Sequence, residues 1–212
     1  MRADVPKQYL PVAGRAMVAH TLQALGRVSR LTATLVVLSR DDDRFEANVP
    51  AFDGERGWIA RCGGATRATS VANGLAELAT RGASPGDWVL VHDAARCMVR
   101  AEWIDGLIDE CLDDGVGGLL ALPLTDTLKQ AHDGRVGATI DRAGKWAAQT
   151  PQMFRLGMLQ AALAAAGAEV TDEASAIEAL GHRPKLVPGA LENFKLTWKE
   201  DFDMAERLLL RR

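Results

Sequence analysis

At 212 residues the chain is longer than an average single domain and shorter than two, so one compact domain with an appendage is the expected build. Its 48% hydrophobic and 25% charged residues exclude a collagen-like, disordered or disulfide-stapled chain. A formal net charge of −3 excludes a non-specific nucleic-acid binder, which needs a concentrated excess of Lys and Arg, so any anionic ligand must meet a local cationic pocket.

Met1 to Leu10 lacks the apolar core of a signal peptide, and no run approaches the ~18 apolar residues of a membrane span; a cytoplasmic protein with no membrane partner is expected. The apolar spacing of Met17, Val18, Leu22, Leu25 and Val28 predicts a helix, and Thr34 to Leu38 a short buried strand. Trp58 to Arg61 reads as a further strand. A helix over Thr66 to Thr80 starts just beyond Gly63 and Gly64. Trp88 to His92 is the clearest strand, followed by a helix over Glu102 to Leu112 and a strand over Leu119 to Leu122. This alternation predicts an α/β fold with a mostly parallel sheet and crossover helices.

Between about residues 123 and 149 the rhythm breaks. Thr125 to Lys129 and Val136 to Ile140 read as strands joined by the turn His132-Asp133-Gly134, a protruding hairpin. Carrying only Leu128, Val136 and Ile140, it buries little alone and is expected to pack on a second copy of the chain. Helices are expected again at Leu156 to Ala166, Glu173 to Leu180 and Glu200 to Leu210, with a strand at Lys185 to Val187. No repeat or linker divides residues 1–212, so a single domain is expected.

Three cysteines, Cys62, Cys97 and Cys111, without a CxxC spacing favour reduced thiols. His20, His92, His132 and His182 form no HxxxH pair and read as surface or satisfied core residues rather than zinc ligands. Side chains at the carboxyl ends of parallel strands face the ligand crevice, which draws attention to His92-Asp93-Ala94-Ala95-Arg96. Asp93 suits Mg²⁺ and Arg96 suits a phosphate; equally, Asp93 can cap the loop and Arg96 lie on the surface. Lys7 follows a proline that fixes its loop, or is a solvated charge. Gly63-Gly64 before a helix start admits a close ligand, with Ser70 as a hydroxyl donor. Thr171-Asp172-Glu173 has the makings of a helix cap.

Six short segments occur in series: Pro6-Lys7-Gln8-Tyr9-Leu10, His92-Asp93-Ala94-Ala95-Arg96, Asp126-Thr127-Leu128-Lys129, Thr150-Pro151-Gln152-Met153-Phe154, Thr171-Asp172-Glu173-Ala174-Ser175 and Asn193-Phe194-Lys195-Leu196-Thr197. On these, over residues 1–212, the chain resembles the 2-C-methyl-D-erythritol 4-phosphate cytidylyltransferases of non-mevalonate isoprenoid synthesis, which join CTP to a sugar-alcohol phosphate and release pyrophosphate. The resemblance implies a Rossmann-like nucleotidyltransferase fold and a homodimer clasped by the hairpin arm. It implies that Lys7 stabilises charge on the α-phosphate, that Asp93 holds Mg²⁺ or another divalent cation, and that Gly64, Ser70 and Ala94 contact the nucleotide. Arg96, Thr127, Thr150 and Thr171 match residues around the methylerythritol phosphate. Lys195 and Arg142 match the cations that position that phosphate, Arg142 from the partner's arm.

The resemblance departs in places. Family members carry a strand and a glycine-rich turn ending in an arginine ahead of the methionine matching Met1. That strand would lie inside the sheet, and a product starting at Met1 is expected to bind CTP weakly. Ala65 stands where an acidic residue can follow the glycine pair, and Cys97 where proline commonly follows the arginine. The rival expectations are a cytidylyltransferase for another polyol phosphate, such as ribitol 5-phosphate, and a catalytically impaired dimeric scaffold.

Overall fold

The computed structural model describes residues 5–50, 52–166 and 170–212. After a 3-10 turn at Lys7–Tyr9, a small hairpin pairs β1 (Pro11–Val12) with β2 (Arg15–Ala16) and leads into α1 (Met17–Gly26). There follow β3 (Thr34–Val37), α2 (Phe45–Asn48), β4 (Gly57–Ala60), α3 (Arg67–Thr80), β5 (Trp88–Val91), α4 (Ala101–Cys111) and β6 (Gly117–Pro123). The arm is β7 (Leu128–His132) and β8 (Arg135–Ile140); then come β9 (Trp146–Arg155), α5 (Leu156–Ala166), α6 (Glu173–Ala179), β10 (Lys185–Pro188) and α7 (Lys199–Leu209).

The main sheet has the order β10-β6-β9-β5. The strand directions are those of a mostly parallel sheet with one reversed member: β10 and β6 run parallel, and β9 is antiparallel to both its neighbours, β6 and β5. The sheet is mixed, with β5, β6 and β10 sharing one direction. A separate parallel pair, β3 with β4, lies alongside in sequence, and among the described residues β3 pairs only with β4 and β5 only with β9.

The alternation of side chains along the strands divides the core between two faces. Leu120 of β6 and Met153 of β9 join Leu25, Ile104, Leu107 and Ile108 from α1 and α4. Their neighbours Leu119 and Phe154 point the other way, to Leu75, Leu159 and Ile177 from α3, α5 and α6. Helices thus cover both faces, as an α/β sheet requires to bury its apolar strands. A third cluster, Val12, Met17, Cys97, Met98, Leu196 and Ala205, packs α7 and the segment after Phe194 against the loop following β5. This contact brings Lys195 to the carboxyl end of β5.

The hairpin expected within residues 123–149 is present but displaced. Its first strand is Leu128–His132 rather than Thr125 to Lys129, and the turn is made by Asp133 and Gly134, both at positive φ (49° and 74°), the conformation a two-residue hairpin favours. Its residues are mostly exposed, with Val136 at 65%. Residues 146–149 do not belong to the arm. They open β9, where Trp146, Ala147 and Ala148 pair with Pro123, Leu122 and Ala121 of β6. Periodicity did not reveal β9 because Gln149, Thr150, Pro151 and Gln152 interrupt its apolar pattern; the register shift between Leu119 and Ala121 lies opposite this stretch. Proline is accommodated at such irregularities, where a ladder hydrogen bond is not needed.

Candidate active site

Asp93 lies two residues beyond the end of β5, where the loop turns back by an Arg96 N–H to Asp93 carbonyl bond of 2.9 Å. Its carboxylate is the meeting point of two cations. Arg67 Nε donates to Oδ1 at 2.9 Å, and Lys195 Nζ pairs with Oδ2 at 2.8 Å. Burial alone would raise the Asp93 pKa, but the charges and hydrogen bonds of Arg67 and Lys195 outweigh it and hold it down at about 2. The carboxylate is therefore ionised at any physiological pH.

Arg67 is the first residue of α3, after the N-cap Thr66, whose hydroxyl accepts from Thr69 N. Its two terminal nitrogens donate to Glu173 Oε1 and Oε2 at 2.7 and 3.0 Å. Glu173 opens α6 with a side chain only 1% exposed. Asp172 caps that helix by accepting from Ser175 N, and Ser175 Oγ accepts from Asp172 N in return. Gln152 of β9 then fixes the helix start, donating to Asp172 Oδ2 at 2.9 Å and accepting from Ala174 N at 2.8 Å.

Behind Asp93, the Thr150 hydroxyl accepts the Asp93 N–H at 3.1 Å and lies 3.1 Å from His92 Nδ1. The hydroxyl proton is thus free to go to Nδ1, which leaves the ring proton on Nε2, 3.2 Å from the Arg96 carbonyl. Burial lowers the His92 pKa to about 4, so the imidazole is neutral and serves as a hydrogen-bonded core residue.

The sequence-derived residues are distributed as follows. Asp93 and Lys195 are in direct contact. Lys7 is on the 3-10 turn after Pro6; burial lowers its pKa, the charge of Lys195 lowers it further, and Asp201 opposes. Lys7 has no ion pair among the described residues. Gly64 donates its N–H to Ser70 Oγ at 3.0 Å, and a Cβ at Gly64 would collide with the Thr69 side chain, so this loop needs glycine to lie tight on the start of α3. Ser70 thus shapes the loop rather than projecting freely. Ala94 offers its carbonyl to Thr21 Oγ1 at 2.9 Å.

Arg96 and Thr150 occupy more internal positions than their expected roles as substrate contacts imply. Arg96 donates to the carbonyls of Asn193 and Ala148 at 2.7 and 3.1 Å, tying the β5 loop to β9 and to the segment bearing Lys195. Thr150 is 4% exposed. Thr171 is exposed at the edge of the α6 cap, with its hydroxyl 3.3 Å from Ser175 Oγ. Thr127 lies in the loop between β6 and β7 and Arg142 in the loop between β8 and β9, on either side of the arm's two strands. Sequence reasoning missed Arg67, Gln152 and Asn193, and it read Glu173 only as a cap residue. One signal was available: a cation at the first position of a helix opposes the helix dipole and needs a compensating anion.

Among the described residues, no three His, Cys, Asp or Glu side chains converge as a metal cage. Mg²⁺ does not require one, because it commonly takes one or two carboxylates and completes its shell with substrate phosphates and water. Asp93 fits that demand; Glu173, enclosed and bidentate on Arg67, does not.

The family description 2-C-methyl-D-erythritol 4-phosphate cytidylyltransferase (IspD) matches residues 1–211. The chain belongs to this family. It is 52% identical over 216 residues to the 2-C-methyl-D-erythritol 4-phosphate cytidylyltransferase of Paraburkholderia xenovorans, covering 99% of this chain and 90% of that protein. A bifunctional IspD/IspF enzyme of Albidiferax ferrireducens is 57% identical over 210 residues, 99% of this chain; the chain spans 50% of that relative's length. A crystal structure of a 4-diphosphocytidyl-2C-methyl-D-erythritol synthase superposes with a TM-score of 0.90 at 42% identity, covering 96% of this chain and 95% of the other. The mixed sheet with helices on both faces is thus the Rossmann-like nucleotidyltransferase fold of IspD.

Proposed function

We propose that the chain transfers the cytidylyl group of CTP to 2-C-methyl-D-erythritol 4-phosphate, giving 4-diphosphocytidyl-2-C-methyl-D-erythritol and pyrophosphate. Membership of IspD makes it a nucleotidyltransferase of isoprenoid synthesis. The observation supporting the reading is the convergence of Lys195 and Arg67 on the ionised Asp93.

In the reaction, an oxygen of the polyol phosphate attacks the α-phosphorus of CTP, the bond from that phosphorus to the bridging oxygen breaks, and pyrophosphate leaves. The attacking phosphate is already ionised near neutral pH, so no side chain has to act as a base. The obstacle is repulsion between two anions, and the chain meets it with fixed cations that position the reactants and offset developing charge. Lys7 carries this role at the α-phosphate. Its ammonium is partly enclosed and has no carboxylate partner among the described residues, so it can turn to a ligand. Lys195, with its side chain 46% exposed, extends from Asp93 towards the polyol phosphate. Asp93 would hold Mg²⁺ or a similar divalent cation, and the chemistry that ion would supply when bound is Lewis-acid neutralisation of phosphate charge.

Gly64, Ser70 and Ala94 form the cytidine side. Thr171 and, across a homodimer interface, Thr127 and Arg142 of the arm complete the polyol-phosphate side. Arg96 and Thr150 support it from beneath through their bonds to Asn193, Ala148, His92 and Asp93. The arm's exposed strands favour a dimer, because a lone two-stranded ribbon gains too little by itself. Residues 1–212 form a single cytidylyltransferase domain. A cytoplasmic location agrees with the described helices, none of which is long and apolar enough to cross a membrane.

A pyrophosphate-release assay with CTP and Mg²⁺ tests this function. Release with 2-C-methyl-D-erythritol 4-phosphate, well above that with ribitol 5-phosphate, is expected. The reverse preference would assign a different polyol, and no release with either would favour a scaffold. Repeating the assay with a version extended upstream of Met1 reports how much an N-terminal segment adds to CTP binding.

A further inference from the structure

Three features meet in Arg67. It contacts the carboxylate at the end of β5, it opens the helix that follows the Gly63-Gly64 loop, and it grips the residue that opens α6. The first residue of a helix is an unfavourable place for a cation, and a carboxylate that is 1% exposed is costly without a partner. Each residue resolves the other's difficulty. A guanidinium is also the one side chain whose rigid fork can donate to a carboxylate from its two ends while presenting Nε–H to a second. Ordinary packing of α3 against α6 would be served as well by two apolar side chains.

We propose that Arg67 is a positioning residue of the transfer site: anchored on Glu173, it sets the orientation of Asp93 and couples the loop on the nucleotide side to the loop on the polyol side. The proposal rests on the cytidylyltransferase reading and deepens it. Lys195 also contacts Asp93, but by a single bond from an exposed and flexible chain, so it cannot fix the carboxylate plane. Arg67 can, because its own plane is held by two bonds to a buried anion. The same guanidinium makes the Gly64 loop and the Thr171 loop parts of one rigid frame, with Gln152 locking the α6 end onto β9.

The test uses the full chain and the variants Arg67→Lys, Glu173→Gln and both together. Arg67→Lys keeps the charge but loses the fork; Glu173→Gln keeps the shape but loses the anchor charge. Thermal melts and circular dichroism give the folded fraction. Mn²⁺ binding in the presence of CTP, followed by electron paramagnetic resonance, reads the Asp93 site without turnover. For folded protein, Mn²⁺ affinity and kcat are expected to fall by about 10- to 100-fold in Arg67→Lys, the range seen when groups that orient metal ligands are lost. Glu173→Gln should fall in the same direction by less, although it touches neither the metal nor a substrate. Because Glu173 acts through Arg67, the double variant should be no worse than Arg67→Lys alone. Mn²⁺ affinity and kcat within twofold of the parent in the folded variants would overturn the proposal, as would losses that multiply in the double variant. A parent chain that binds Mn²⁺ and CTP but releases no pyrophosphate would count instead against the cytidylyltransferase reading. In that case the binding series alone decides the role of Arg67.

Discussion

The hydroxyl of Thr150 lies 3.1 Å from Nδ1 of His92 and also receives the N–H of Asp93, so one buried threonine orients the imidazole and the loop carrying the site's carboxylate. This makes His92 a neutral strut for the site.

A pH signature follows. Burial depresses the folded-state pKa of His92 to about 4, below the ~6.5 of an unfolded histidine, so between these values the unfolded chain binds the extra proton. Stability contributed by the neutral ring is present above pH ~6.5 and is lost as pH falls towards 4, by about 3 kcal/mol in all. Denaturant melts across that range should show this slope in the parent and a reduced one in His92→Gln. Identical slopes would remove His92 as the cause.

Lys7→Ala should lower kcat by a factor on the order of 10² to 10³ with little change in the KM for either substrate, as expected for a donor that acts mainly in the transition state. Steady-state pyrophosphate release is the measurement. A loss confined to KM would make Lys7 a binding residue only.

The arm can be tested by mixing. Lys7→Ala and Arg142→Ala, each poorly active alone, should recover on the order of a quarter of parental activity when refolded together, because a mixed dimer regains one complete site if the arm reaches across the two-fold axis. No recovery would place Arg142 in its own subunit's site. In parallel, Val136→Asp on the exposed face of β8 should shift the sedimentation coefficient towards a monomer.

Cys97 should resist alkylation. It is 1% exposed, and burial pushes its thiol up to about 11, so little thiolate forms at pH 8. Iodoacetamide should modify Cys62 first, as read by peptide mass spectrometry, with activity retained. Rapid labelling of Cys97 in folded protein would show that the α7 cluster opens.

Much of the architecture is determined by local pattern. The helix from Arg67 to Thr80, the strand Trp88–Val91 and the Asp133-Gly134 turn follow from periodicity, a capping threonine and a residue pair suited to positive φ. These signals are carried by residues adjacent in sequence, and Lys7, Asp93 and Lys195 stood out through the short segments that hold them. Only the tertiary structure decided that Trp146–Arg155 is the antiparallel centre of the sheet. Its Gln149, Thr150 and Gln152 are polar yet buried, because their partners, Ala190, His92 and Asp172, come from distant loops. Likewise, the pairing of Arg67 with Glu173 joins residues 106 positions apart. A single strand of sequence shows neither partner's need for the other, since the cost of an unpaired buried charge arises only once the chain has folded around it.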